Sequence, residues 1–490
     1  MFKNSDHLGF FNPYFIKKEG LIHTEDKFDE IIKAHKGPKE IDVLAISEIL
    51  NTNYIFADRT IIQGIYKSPW MADINADATA WNYHDVPTHN ELDIDENEIA
   101  EELFKRLLDE ILSYTKGKNK IGILLSGGMD SRIVAGLLDY LIQNGKLPKQ
   151  VEITALTWGN SNSRDVIYAQ KIAELLNWEW KHYIVSAEDL RNNIDEVAEN
   201  GCEFSPLHLH ALPQMRVDNQ LDCVLAGSYG DSVGRAEYSS VKVKNLKSVA
   251  HNFRNVGSLL KQTAFNETKR DYLSDLDKYH QLFPQKLKYQ QYEQDYQLHY
   301  MRRMLNPCMK FIGNHNPLFQ AFTDPKVFGY MWSLKPELRN DNIYSIILKK
   351  INPDLAQIPW ARTGLPYGTQ EGKTDSYSKV HHSYKKLIDV DLYEEIKNLV
   401  LSDEIKSIEI FNIESLKYSL KLIKEVTHTK HWYEEKLIWI ASLAKAVSYY
   451  NIKSSKGYKK QPIDTFNSRL LVPLEFYGRN HCISKLLKKL

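Results

Sequence analysis

A short apolar run that stops at two glycines and restarts as a helix constrains this chain more than any other feature. IGILL (residues 121–125) has the length of a buried strand, SGG (126–128) breaks it, and a helical pattern of apolar residues follows as far as Leu141. The same alternation then repeats. VEITALTW (151–158), KHYIV (181–185) and CVLAG (223–227) are strand-like, and amphipathic patterns at 165–176, 189–199 and 206–219 lie between them. Strands alternating with helices imply right-handed crossovers and a parallel sheet, so the expected class is α/β. Ligands of such sheets bind beyond the carboxyl ends of the strands.

The flanks read differently. Residues 1–95 hold short β-like runs, YIFADRT (54–60) and IIQGIYK (61–67) among them, and an acidic stretch leads into a helix at about 99–114. From about residue 244 the chain is mainly helical, interrupted by a loop-like segment rich in Gly and Pro at 359–373. We therefore expect a small, mostly β region at 1–95, an α/β unit at 96–375 and a helical part at 376–490.

Composition narrows the function classes. With 43% hydrophobic and 26% charged residues, the chain has an ordinary globular make-up. Lys plus Arg and Asp plus Glu each number 63, so no net positive charge favours nucleic acid. No run approaches the roughly 18 apolar residues of a membrane span, and the first residues lack a signal-peptide pattern. The four cysteines (Cys202, Cys223, Cys308, Cys482) form no CxxC pair, which argues against a zinc site or a disulfide scaffold. A cytoplasmic protein follows from these readings. His208 and His210, and His381 and His382, read as surface or partly buried pairs rather than a metal centre. Four tyrosines at helical spacing (Tyr289, Tyr292, Tyr296, Tyr300) read as core or interface packing, and the basic tail at 485–490 as a solvated end.

Residues 124–131, Leu-Leu-Ser-Gly-Gly-Met-Asp-Ser, carry the chemistry. Adjacent glycines let a backbone approach a ligand closely, and loop N–H groups at a helix N-terminus attract anions. Ser126 and Ser131 add hydroxyls, and Asp130 adds a carboxylate suited to a divalent cation. The lysine of a GxxxxGK[ST] loop is absent, and so is GxGxxG. A loop of this kind can hold pyrophosphate as a leaving group while chemistry occurs at the α-phosphate. A capped strand-to-helix turn without function is the plain alternative.

This string resembles the SGGxDS loop of the N-type ATP pyrophosphatases, and its surroundings resemble the synthetase domain of the asparagine synthetase family, which includes β-lactam synthetases. Asp165 with Ala169 and Ala173, VLAGSYGDSVGR (224–235) at the family's S-G-E-G-x-D-E motif, NPLF (316–319), SLKPELR (333–339) and IPWARTGLP (358–366) extend the likeness over about 99–439. The resemblance implies a PP-loop fold and a MgATP-dependent ligase. Such an enzyme adenylates a carboxylate, releases pyrophosphate and passes the acyl group to nitrogen. By position, Ser126, Gly127, Gly128 and Ser131 would cradle pyrophosphate, and Asp130 and Asp231 would hold Mg²⁺. Leu124 and Gly227 would border AMP, with main-chain groups near Thr157 reading adenine. Arg362 stands nearest the family's late-loop lysine.

The sequence also departs from that family. Ser228 replaces the glutamate that assists the nitrogen nucleophile, Ser232 replaces the next acid, and Gln320 replaces the acid of the Pro-Phe-Leu-Asp segment. Glu203 and Glu237 are candidate substitute bases, with exposed surface carboxylates as the plain reading of both. Phe2 stands where glutamine-hydrolysing members have cysteine, yet residues 41–85 resemble the last strands of their glutaminase domain. A truncated remnant implies nitrogen from ammonia, a substrate amine or a separate glutaminase subunit. The remaining expectations are a small-molecule or peptide carboxylate as substrate, a homodimer, and no nucleic-acid or membrane partner. The alternatives are another SGGxDS pyrophosphatase, of the NAD synthetase, GMP synthetase or tRNA-modifying type, and a pseudo-synthetase that binds nucleotide without turnover.

Overall fold

The computed structural model describes residues 12–218, 220–313, 315–369, 371–372, 374–425 and 432–478. Phe2, Cys482 and the basic tail lie outside them.

Two antiparallel pieces come first. Strands β1 (Tyr14–Lys18), β2 (Leu21–Glu25) and β3 (Tyr66–Lys67) form one sheet in the order β2-β1-β3, and β4 (Ala72–Ile74) pairs with β5 (Trp81–Tyr83). Two helices, α1 (Phe28–Ala34) and α2 (Val43–Thr52), accompany them. The segment at 54–60 is not a strand. Its backbone groups are drawn into turns and into bonds with buried side chains, such as the Ala57 N–H to His299 Nδ1 at 2.9 Å. β composition was therefore misleading there.

After helix α3 (Glu96–Thr115), the expected parallel sheet forms from β6 (Lys120–Leu124), β7 (Glu152–Trp158), β8 (Glu179–Tyr183) and β9 (Cys223–Ala226). Helices α4 (Met129–Gln143), α5 (Arg164–Leu175), α6 (Ala187–Glu199) and α7 (Leu212–Asp218) occupy the intervals. A small hairpin, β10 (Glu237–Tyr238) with β11 (Val241–Lys242), follows, and the NPLF segment supplies a fifth parallel strand, β12 (Leu318–Gln320). The order is β12-β9-β6-β7-β8. The chain leaves β6 toward β7 and β8 and returns to its other side at β9. Consecutive connections diverge there, and a crevice opens beyond the strand ends.

Both faces of the sheet are buried, as a parallel sheet requires. Ile121, Ile123, Leu125, Ala155 and Leu225 face one cluster, packed by α3, α4 and helix Asp341–Ile351. Leu124, Leu156, Val224 and Ala226 face the other, shared by α6, helix Trp432–Tyr450 and residues of the N-terminal segment. The alternation along each strand is the two-residue period of a pleat. Leu437–Ala444 is part of a buried helix, and no helix among the described residues is long and apolar enough to cross a membrane.

The N-terminal segment is fastened to the rest by buried charge. Arg303, fully buried, donates to the carbonyls of Ala57 and Arg59 and pairs with Glu203 at 3.4 Å. Tyr279 and Lys278 both reach Asp58 at 2.7 Å. In the tyrosine-rich stretch it is the polar positions Glu293, Gln294, Asp295, Gln297 and His299 that are fully buried, while the four tyrosines are half-buried flanks. Removing one partner of a buried ion pair strands the other. Arg303→Met should therefore lower the unfolding free energy by about 3–5 kcal/mol in a urea titration.

Candidate functional site

β6 delivers the Gly-rich loop to the switch point. Leu125 N–H still bonds Leu156 O at 2.9 Å, after which the backbone turns through Ser126 and Gly127 into Gly128, the cap of α4. No side chain caps this helix N-terminus, so its first N–H groups remain free for an anion. The loop is shaped internally by its two serines. Ser126 N–H donates to Ser131 Oγ at 3.1 Å, the hydroxyls lie 3.1 Å apart, and Gly128 N–H donates to Ser126 Oγ at 3.1 Å. Ser126 and Ser131 therefore hold the curve before any ligand arrives.

The loop is pressed from two sides. After β9, the segment from Gly227 crosses the start of α4 so closely that a Cβ on Gly227 would lie 2.4 Å from Ser131 N, and one on Gly230 would lie 2.5 Å from Asp130 Cβ. Tyr229 between them takes a left-handed backbone, with φ of 70°, and opens a single wide helical turn, Gly230–Gly234. On the other side comes the late loop. Ala361 N–H donates to Gly127 O at 3.1 Å, and Arg132, fully buried in the first turn of α4, donates to the carbonyls of Gly127, Leu355, Ile358 and Pro359. Further along, Ser378 pairs with Ser163, and the Asn160 N–H bonds His381 O at 2.7 Å.

A cavity of about 390 Å³ opens at this junction. The structure gathers Leu124, Ser126, Gly128, Asp130, Ser131 and Gly227 on its wall, with Asp165 and Ser228. Thr157 is fully buried behind the wall. Its Oγ1 donates to Leu125 O at 2.9 Å and accepts from Trp180, while the neighbouring Trp158 faces the cavity. Gly127, Asp231 and Arg362 are not on the wall. Arg362 stacks over Trp360 and pairs with Glu237 at 2.7 Å. Ser232 points inward, its hydroxyl donating to Tyr229 O at 3.3 Å. β12 brings the buried Gln320 level with Ala226, at the end of β9.

Neither substitute base is exposed. Glu203 is buried against Lys67, at 3.3 Å, and Arg303, and it lines a separate cavity. Glu237 is buried between Arg362 and Lys242. Against the opposing effect of burial, Lys67 and Arg303 hold the Glu203 carboxyl below the usual range, which makes it a poor general base, and Glu237 is taken up by its two ion pairs. The histidines are partly buried, within the expected reading, and they gather at the cavity. His210 stacks on Trp158 at 5.7 Å, lies 4.7 Å from His382, and shares the cavity wall with His208 and His381. Burial keeps His210 well below its ordinary pKa and His381 at about 4, so both are uncharged near neutrality. That half of the cavity, completed by Met304, Cys308 and Met309, is uncharged and suits a flat heterocycle, while the loop half suits phosphate.

Carboxylates are concentrated at the loop end. Burial raises Asp165 to about 6. Burial and then the Asp130 charge raise Asp231 to about 7. Two carboxylates near each other offer the hard oxygen donors that Mg²⁺ takes. Asp130, however, is already engaged: Arg235 Nε reaches its Oδ1 at 3.2 Å and Nη2 its Oδ2 at 3.1 Å. As arranged, the pair does not fit a shared metal ion. The sequence did not mark Arg132, Arg235 or Trp158 for the site, and His210 was read only as one of a surface or partly buried pair. The signal for the two arginines was a charged residue inside an otherwise apolar or Gly-rich stretch.

The family model for asparagine synthase matches residues 103–307. That match takes in β6 to β9 and therefore both loops that meet at the cavity. A putative glutamine-hydrolysing asparagine synthetase of Methanocaldococcus jannaschii is 28% identical over 142 residues, 28% of this chain. The chain spans 25% of the length of that curated relative. The structure of NMN synthetase from Francisella tularensis aligns over 29% of this chain and 59% of its own, at 20% identity. Its TM-score of 0.19 is too low to carry an argument.

Two outcomes follow for the site. Gly227→Ala should cost about 1–3 kcal/mol in thermal unfolding and weaken nucleotide binding, because a methyl group must push the start of α4 aside. For Asp165, the folded-state pKa of about 6 lies above the unfolded value, so its stabilising effect is full below about pH 4 and lost as pH rises through 6. Asp165→Asn should therefore raise stability at pH 8, by up to ~3 kcal/mol, and leave it unchanged at pH 4 in paired denaturation curves.

Proposed function

We propose that this chain is an ATP-dependent, amide-forming ligase of the PP-loop type that adenylates a carboxylate, releases pyrophosphate and transfers the acyl group to ammonia or an amine. The observation that carries this reading is the meeting of the Ser126–Ser131 loop with Gly227 around one cavity whose far wall is uncharged and aromatic. The triphosphate lies against the loop N–H groups and the α4 N-terminus, and the base lies by Trp158 and His210. A carboxylate oxygen then attacks the α-phosphorus and the bond to pyrophosphate breaks. The fixed N–H groups stabilise the charge on the departing group without reorganisation. Arg362, half-exposed beside the loop, adds positive charge on the late-loop side. The match to the asparagine synthase family supports this reaction class.

Ser228 occupies the position from which the family's glutamate would act, and no free carboxylate takes its place on the cavity wall beyond Asp130 and Asp165. We take the nitrogen nucleophile to arrive uncharged, as free ammonia or a weakly basic amine, from solution or a separate glutaminase. Residues 1–95 then serve as packing for the synthetase region.

An ATP–pyrophosphate exchange assay across a panel of carboxylic acids tests the proposal. Exchange that depends on one class of acid, and that falls at least tenfold in Trp158→Ala through a raised KM for ATP, is the expected result. Nucleotide binding without exchange for any acid would make the chain a pseudo-synthetase.

A further inference from the structure

The Asp130–Arg235 contact bears on how the site meets its demand for positive charge. Arg235 is 2% exposed and closes side-on onto both oxygens of Asp130, the strongest geometry a guanidinium and a carboxylate can adopt. Its remaining amino group reaches Asp341 Oδ1 at 3.1 Å, at the start of helix Asp341–Ile351. Tyr344 and Trp360 flank it at 5.6 and 5.7 Å. The turn that carries it is fixed as well: Tyr344 Oη donates to Gly230 O at 2.8 Å, and a Cβ on Gly234 would lie 2.1 Å from that hydroxyl. Arg235 is therefore clamped at both ends of its guanidinium and along its backbone.

Arg235 takes one lone pair on each Asp130 oxygen, on the side where a chelated cation would sit, and its own positive charge repels a second cation from the same carboxylate. Asp130 is thereby a weak ligand for Mg²⁺, which demands near-ideal geometry at about 2.0–2.1 Å. Asp231, one turn away, keeps one bond from the Ser232 N–H to its Oδ1, at 2.8 Å.

We propose that Arg235 is a built-in cation that replaces a metal ion at Asp130, so that Asp130 anchors the phosphate loop to the second-motif turn and does not ligate Mg²⁺. This rests on the ligase reading for its biological purpose but not for its test. Any ion that accompanies the triphosphate is then held by the phosphates without help from Asp130.

The test is a Mn²⁺ titration of the full chain, followed by electron paramagnetic resonance of the free ion, without nucleotide and again with a non-hydrolysable ATP analogue. Without nucleotide, Asp130→Asn in the wild-type background should leave the number and affinity of bound Mn²⁺ unchanged. Arg235→Gln should gain a Mn²⁺ site at least tenfold tighter than any in the wild type, and the double variant with Asp130→Asn should lose it again. A loss of Mn²⁺ affinity of tenfold or more in Asp130→Asn alone would overturn the proposal. So would a folded Arg235→Gln, verified by its circular dichroism, that gains no site. If Arg235→Gln fails to fold, the Asp130→Asn titration decides by itself. Failure of the analogue to bind would count against the ligase reading, and the nucleotide-free titration would still decide the role of Arg235.

Discussion

The site rests on one close approach. The backbone leaving β9 runs across the first turn of α4 at a distance that tolerates no side chain at Gly227 or Gly230, because the positions a Cβ would take are filled by Ser131 N and by Asp130 itself. Two loops far apart in sequence are thereby locked in register. The helix N-terminus, the serine-braced curve and the carboxylates Asp130 and Asp231 all take their places from that contact. Glycine is required here by space, since neither position is among those with a left-handed backbone.

The charged groups around this junction form a graded series. Nearest the cavity stand Asp130 and Asp165. Behind Asp130 comes Arg235, then Asp341, while Glu237 and Arg362 pair alongside. Each buried charge is met by an opposite one or by a fixed dipole, as a low-dielectric interior demands. The opposite wall, built from Trp158, neutral imidazoles and sulfur-bearing side chains, carries no net charge. On the ligase reading, a ligand that fills the whole cavity puts its phosphates against the loop and its apolar end against this wall.

Much of this was legible in the sequence. The parallel sheet could be read from period and spacing, because β6, β7 and β9 are short apolar runs buried on both faces with amphipathic helical patterns between them. The loop residues could be read because glycine pairs and small hydroxyls have few other uses between a strand and a helix. What could not be read depends on contacts remote in sequence. Tyr54–Thr60 looks like a strand, but its backbone is met singly, by the nearby Thr52 and Glu48 side chains and by the remote His299, Arg302 and Arg303. Glu203 and Glu237 look like surface acids until Arg303 and Arg362 are folded onto them. His210 meets His382 only because the late loop crosses the cavity mouth. The fifth strand, β12, is three residues long and too short for a periodicity to register.

Arg132 deserves a last thought. Among the described residues no carboxylate meets its guanidinium, and it is wrapped by four main-chain oxygens directly beneath the glycine pair. Dipoles can solvate a charge without cancelling it. The loop therefore sits above a permanent source of positive potential that no solvent ion can reach, and its pull on phosphate should resist salt screening far better than a lysine projecting into water would. A chain without the lysine of other phosphate loops has placed its cation underneath the floor.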